Sequence, residues 1–333
     1  MDVRLPYRVG VRPSAIRSIT GFTLVELMVV LVIVALLASL TLAGLSGVRQ
    51  RAKEDKTRST IRKIDSVIQS MYESYATRRV PATGTTRTAR ATSRLQNLRL
   101  IMAVEMPDTW NDVGTAAAPL PIPAWASNAV YRRYSAYKTA LTTAPSPPST
   151  FNIPVPNFSP PTTYGQLYGY SETLLMIVSM SGFQPDCMEQ FRPDEIGDID
   201  RDGAKEFSDG WGRPIAFIRW PAGFASPFVN HSQPDPVDVM RVTGPITLPF
   251  AAQSDWAMTP LIYSAGPDEA TNDPFGTASG YGLFNPGPSW LATLPIASTC
   301  QQNPAWPGSN GAVNPANPVA VSDNITNYDL LTK

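Results

Sequence analysis

From Phe22 to Val48 the chain offers a single charged side chain, Glu26, and no proline. No other feature narrows the possible folds as much. A helix over this run would extend about 40 Å at ~1.5 Å per residue, enough to cross a hydrocarbon core about 30 Å thick. An ionised carboxylate inside hydrocarbon costs roughly 2.5 to 3.5 kcal/mol on insertion scales, so Glu26 requires a partner or a task. Ahead of the run, Arg4, Arg8, Arg12 and Arg17 stand against Asp2 alone, and Pro6 and Pro13 oppose a helix. A basic segment before an apolar one also describes a secretory signal peptide, cut near the small residues Ala43 and Gly44. The apolar region of such peptides runs about 7 to 15 residues, and this one is longer.

The hexapeptide Gly21-Phe22-Thr23-Leu24-Val25-Glu26, with its basic leader and apolar sequel, resembles the cleavage and methylation signature of type IV pilins and type II secretion pseudopilins. The resemblance implies that a prepilin peptidase cuts between Gly21 and Phe22 on the cytoplasmic side and that the new amino group of Phe22 is methylated. Glu26 is then the fifth residue of the mature chain. The implied partners are other pilin or pseudopilin subunits, the peptidase and an inner-membrane assembly platform. The implied location is a single pass through the inner membrane, with the head in the periplasm or outside the cell.

The chemistry of Glu26 fits that resemblance. In a filament core of packed apolar helices its carboxylate can meet the amino terminus of Phe22 on a neighbouring subunit, and a charge-assisted hydrogen bond then offsets its desolvation. A subunit in the wrong axial register leaves the charge unpaired. The simpler reading is a carboxylate at the positive end of its helix dipole, worth roughly 0.3 to 1 kcal/mol. Charge counting opposes the orientation, because Arg49, Arg51, Lys53, Lys56, Arg58, Arg62 and Lys63 on the outward flank outnumber the leader arginines. The signature sets it instead, since its peptidase works from the cytoplasm.

After Val48 the apolar positions become periodic. Ile61, Ile64, Val67, Ile68, Met71, Tyr72 and Tyr75 recur at spacings of three and four, which places them on one helical face. With no proline between Phe22 and Pro81, one helix is predicted over about 22–79; a break at Gly44 or Gly47 is the alternative, glycine costing about 1 kcal/mol there. The basic run at 49–63 reads as a solvated helix face, as a contact for anionic lipid heads, or as a nucleic-acid surface. Few aromatics interleave with it, so nucleic acid is not an expected partner.

Most of the 33 prolines and 22 glycines fall after residue 80, which disfavours long helices there. The predicted class is α+β: a long N-terminal helix, transmembrane in its first half and amphipathic in its second, packed on a small antiparallel sheet with long Pro-rich loops. The predicted domains are a cleaved leader (1–21), a transmembrane helix (22–48), a stalk helix (49–79) and a loop-rich head (80–333). Within the head, 80–92 reads as a loop, Ser93 as a cap for a helix to about Met106, and 114–126 and 143–163 as extended loops. Ala129 to Leu141, with Tyr131, Tyr134 and Tyr137 near one stripe, and Ser171 to Met180 read as helices. Cys187 and Cys300 either pair, if the head is exported, or remain separate thiols.

The segment EIGDIDRDGAKEFSDGWGRPIAFIRW at 195–220 carries candidate metal chemistry. Asp198, Asp200, Asp202, Gly203, Glu206 and Asp209 occupy offsets one, three, five, six, nine and twelve of a calcium loop, with the carbonyl of Ala204 at offset seven. Asp209 stands where glutamate is usual, Lys205 where an apolar residue is, and Pro193, Gly197 and Pro214 oppose flanking helices. A solvated acidic turn is the other reading. Asp209-Gly210-Trp211-Gly212-Arg213-Pro214 with the strand Ile215 to Trp220, and Leu261-Ile262-Tyr263-Ser264-Ala265-Gly266-Pro267-Asp268 with Asp273, resemble the sheet and calcium-binding loop of the major type II secretion pseudopilin. That resemblance implies a Ca2+ at or near Ser264, Asp268 and Asp273.

An enzyme is not expected. His231 is the sole histidine and lies in a turn-like stretch, and neither a phosphate-cradling loop nor a zinc-type histidine cluster is present. The reading is a structural subunit of a type II secretion pseudopilus or type IV pilus-like filament. The alternative is a membrane-anchored cell-surface ligand-binding or adhesive protein that does not polymerise.

Overall fold

A computed structural model describes residues 23–114, 124–126, 128–143, 168–219, 235–240, 242, 246–248, 251–253, 259–264, 266 and 325–331. The leader, Gly21, Phe22, His231, Asp268, Asp273, Cys300 and most of the predicted Pro-rich loops lie outside the described residues. The chain divides into two compact units, Met1–Arg49 and Gln50–Lys333.

Helix α1 runs unbroken from Leu24 to Thr77, as the absence of proline predicts and without a stop at Gly44 or Gly47. In the first unit its apolar side chains from Leu24 to Leu37 are exposed. Among the described residues no helix is long and apolar enough to cross a membrane.

In the second unit α1 is the spine of the core. All seven residues of the periodic stripe, from Ile61 to Tyr75, are buried. They join a core shared with helices α2 (Arg87–Glu105), α3 (Asn128–Thr143) and α4 (Gly169–Met180). Helix α2 begins earlier than predicted: Thr86, not Ser93, is the N-cap, and its side chain accepts a hydrogen bond from the Ala89 amide at 3.1 Å. Ser93 is instead turned to the preceding loop, where its Oγ accepts from the Thr83 amide at 3.1 Å. The error is physical, since small and polar residues at 87–92 tolerate a helix once its C-terminal half is buried. Tyr131 and Tyr134 of α3 are core residues. The Tyr134 hydroxyl donates to the Glu105 carbonyl at 3.0 Å.

Helix α4 carries a run of buried apolar residues, Leu174 to Val178, and packs against α3 and against strands β2 (Glu206–Phe207) and β3 (Ala216–Ile218). Apolar residues on all sides mark an interior helix. Among the described residues the strands are short and form three antiparallel sheets. One pairs β1 (Ile196–Gly197) with β2; one joins β4 (Ile246–Leu248) to β5 (Ala251–Gln253); the third has the order β3, β6 (Leu261–Ser264), β7 (Ile325–Thr326). In that sheet Phe217 opposes Ile262 and Tyr263 opposes Thr326. A short helix α5 (Asn327–Leu331) follows, and Asn327 Nδ2 donates to Asp65 Oδ1 of α1 at 2.7 Å.

Polar ties also converge on α1. Lys56 pairs with Asp194 at 2.7 Å and Lys63 with Glu195 at 2.9 Å, so two cations of the basic run bind the head rather than solvent. At the C-terminal end of α1, Arg78 grips Glu105 with its two terminal guanidinium nitrogens, at 2.5 and 2.6 Å, and the Tyr75 hydroxyl donates to the same carboxylate at 2.8 Å. Bidentate charged bonds are stronger and more directional than single neutral ones, and these lock α2 against the stripe.

Candidate functional sites: the start of α1 and a buried carboxylate cluster

The first site is the beginning of α1. Thr23 precedes the helix and Glu26 is its third residue, the spacing of a capping box. The Thr23 amide and hydroxyl each donate to Glu26 Oε2 at 2.8 Å, and Thr23 Oγ1 accepts from the Glu26 amide at 3.2 Å. Among the described residues no bond falls on Glu26 Oε1. The carboxylate is thus more than a charge near a helix dipole: it accepts from the Thr23 backbone amide, while the Thr23 hydroxyl takes up the Glu26 amide that the first turn leaves unpaired.

A match to the prokaryotic N-terminal methylation motif covers residues 16–42 and so spans this capping box. The chain carries the signature of type IV pilins and pseudopilins. No curated protein and no solved structure gives a significant match to the chain. In this pilin-like chain the matched residues include Gly21, Phe22 and Glu26, of which Glu26 lies among the described residues.

The second site lies within the head. One carboxylate oxygen from each of Glu172, Asp200, Asp202 and Glu206 comes within 4.8 Å of the others. Glu172 extends from α4, Asp200 and Asp202 from the loop joining β1 to β2, and Glu206 from β2. Arg201 and Gly203 bend that loop through left-handed backbone, with φ of 68° and 103°. Its amides fasten to the acids themselves. Asp202 N donates to Asp200 Oδ1 at 3.3 Å, Gly203 N to Asp198 Oδ2 at 3.3 Å, Ala204 N to Asp202 Oδ1 at 2.8 Å, and Ile199 N to Glu206 Oε2 at 2.9 Å.

All four carboxylates are buried, Asp200 and Glu206 to 0 % exposure. Like charges out of water disfavour ionisation. Burial, then the Asp202 charge, pushes Asp200 up to about 8, and burial with the Glu172 and Asp200 charges lifts Glu206 well above the carboxylate range. Burial and then Glu172 and Glu206 push the nearby Tyr137 phenol up to about 12.

The predicted calcium-loop residues therefore separate. Asp200, Asp202 and Glu206 gather; Asp198 is buried beside them and turns its Oδ2 to the Gly203 amide. Asp209, assigned to offset twelve, does not join them. Its Oδ2 accepts from Ser264 Oγ at 2.7 Å, and its Oδ1 accepts from the Trp211 and Arg213 amides at 2.8 and 2.9 Å. Ser264 thus sits with Asp209, while the proposed companions Asp268 and Asp273 fall outside the described residues.

The fourth carboxylate of the group is Glu172, which sequence reasoning missed. A signal existed: Glu172 is the one charged side chain of α4, and an isolated carboxylate on an otherwise apolar interior helix needs a reason to be there. Its Oε2 accepts a hydrogen bond from Trp110 Nε1. Cys187 is buried, its Sγ donating to the Val178 carbonyl at 3.2 Å.

Proposed function

We propose that the chain is a structural subunit of a type II secretion pseudopilus or a type IV pilus-like filament. It is made as a precursor, cut between Gly21 and Phe22 by prepilin peptidase, held in the inner membrane by the apolar run to Val48, and assembled with like subunits on a membrane platform. The observation that carries this reading is the methylation-motif match over 16–42, set on a helix whose third residue is Glu26.

The bonding of Glu26 supports the assembly role. Thr23 occupies Oε2 and leaves Oε1 for the amine of a neighbouring Phe22. The capping box holds the carboxylate at the helix start before assembly, so little rotamer freedom remains to be lost on pairing. Removal from water is then offset by a charged hydrogen bond.

Mass spectrometry of the chain from cells that possess the peptidase tests this directly. The expected product begins at N-methylated Phe22. A chain that keeps its leader, or one that begins near Gly44, removes the filament reading. A correctly processed chain that forms no filament with or without Glu26 supports the anchored surface protein instead.

A further inference from the structure

We propose that Glu172, Asp200, Asp202 and Glu206 form a buried site for one hard divalent cation, with Ca2+ as the natural occupant. This goes beyond the filament reading and does not depend on it.

Acidic residues grouped on a surface need no ion, because water solvates them. Here solvent is absent: Asp200 and Glu206 are 0 % exposed. Among the described residues Asp200 Oδ2 and Glu206 Oε1 have no hydrogen-bond partner. A buried oxygen without a partner costs roughly 1 to 3 kcal/mol, more when charged, and this fold places two of them among the same carboxylates. Three of these acids come from seven residues of chain, 200–206, but Glu172 arrives from a separate helix and brings the fourth carboxylate.

The dimensions suit one ion. Oxygens within 4.8 Å of one another fit around a Ca2+ whose ligands lie at about 2.3 to 2.6 Å, since opposite ligands are then roughly 4.6 to 5.2 Å apart. The donors are all oxygen, which excludes the thiolate and imidazole preferences of zinc and copper. Mg2+ usually retains several waters, and four carboxylates at 6 % exposure or less leave little room for that shell. Ca2+ accepts irregular, bidentate carboxylate ligation, which side chains from a loop, a strand and a helix can supply. A bound ion would tie the β1–β2 loop to α4.

The full-length chain in detergent, stripped with EDTA, provides the test. Addition of about 1 mM CaCl2, in the range of extracellular calcium modules, is expected to raise the thermal midpoint by several degrees, with MgCl2 giving a smaller rise. Tb3+ is expected to luminesce on tryptophan excitation, because Trp110 bonds the ligand Glu172, and Ca2+ to quench the signal by competition. Asp200→Asn and Glu206→Gln should weaken Ca2+ at least tenfold and abolish the midpoint shift; Asp209→Asn should keep both, since its amide can reproduce the bonds to Ser264 and the turn. The proposal is overturned by a wild-type chain with neither shift nor Tb3+ signal, or by a response that survives Asp200→Asn and Glu206→Gln. It is also overturned by a response lost only in Asp209→Asn. Should one acidic variant fail to fold, the wild-type Tb3+ titration and Glu172→Gln decide alone.

Discussion

Gly210 lies so close to α1 that a Cβ in its place would stand 2.2 Å from the Lys53 carbonyl oxygen and 2.7 Å from the Lys53 Cα. The Gly210 amide donates to Thr57 Oγ1 at 2.8 Å, and that hydroxyl donates in turn to the Lys53 carbonyl at 2.9 Å. The Asp209–Arg213 turn therefore seats backbone to backbone on the helix. Gly210→Ala is expected to destabilise the head by about 3 kcal/mol, the upper range for overpacking, because a helix backbone cannot yield as a flexible side chain can. A lowered denaturant midpoint with unchanged slope checks this. Unaltered stability would mean that the turn does not sit against Lys53.

Arg219 is fully buried and clamps the chain between α2 and β3. Its guanidinium reaches Asp108 at 3.1 Å, Asp112 at 3.5 Å and the Met106 carbonyl at 2.5 Å, and its amide donates to Asp108 Oδ1 at 2.7 Å. Removing one partner of such a group leaves uncompensated charge, typically about 3 to 5 kcal/mol. Arg219→Met is expected to lose that much in chemical denaturation. Combining it with Asp108→Asn and Asp112→Asn should recover part of it, since the unpaired charges are gone while the amide oxygens still accept from the Arg219 and Asp108 backbone amides.

Acid should loosen the head at Glu195. Burial alone would raise this carboxyl, but bonds from Thr60 at 2.6 Å, from the Arg192 amide at 2.7 Å and from Lys63 outweigh it and hold it below the ordinary 4.5. A depressed folded pKa contributes stability that is present above the unfolded value and lost as pH falls through the folded one. Asp112 acts oppositely: burial lifts it from 3.8 to about 6 against the Arg219 charge, so its contribution declines as pH rises from about 4 to 6. Comparing wild type with Glu195→Gln cancels the Asp112 effect. The wild-type advantage should be full near pH 6 and fade below about pH 4.5; an advantage constant down to pH 3 would refute the assignment.

Capping and assembly separate at Glu26. Glu26→Gln retains an oxygen for the Thr23 amide and keeps the capping box, but it carries no charge for an amine. Glu26→Ala loses both, about 1 kcal/mol of helix-end stability included. If the charge registers subunits, both variants should be processed at Gly21 and neither should form filaments. Normal filaments from Glu26→Gln would reduce the residue to a helix cap.

What local pattern decides was legible in the sequence. The stripe from Ile61 to Tyr75 was visible because helical periodicity repeats every three or four residues and needs no knowledge of the partner; the tyrosine stripe of α3 was readable for the same reason, and strands β3 and β6 through the resemblance of the segments around them to a pseudopilin sheet. The Thr23–Glu26 box is also a spacing within one turn, yet the sequence reading took Glu26 for a filament partner or a charge on the helix dipole and did not name the cap. The start of α2 at Thr86 was not legible, because residues 87–92 are helical only when the buried end from Leu95 onward holds them.

The grouping of the carboxylates belonged to tertiary structure. Asp200, Asp202 and Glu206 share a short loop, and their spacing alone suggested convergence. Whether Asp209 would join them depended on the turn that Gly210 seats against Lys53, which delivers the Asp209 carboxylate to Ser264 instead. Glu172 enters from a helix 28 residues before Asp200 because α4 packs on β2. Sequence spacing describes what neighbours along the chain can do together, whereas enclosure by distant elements, and with it the loss of solvent that turns four acids into a candidate ion site, arises only when the helices and strands close on one another.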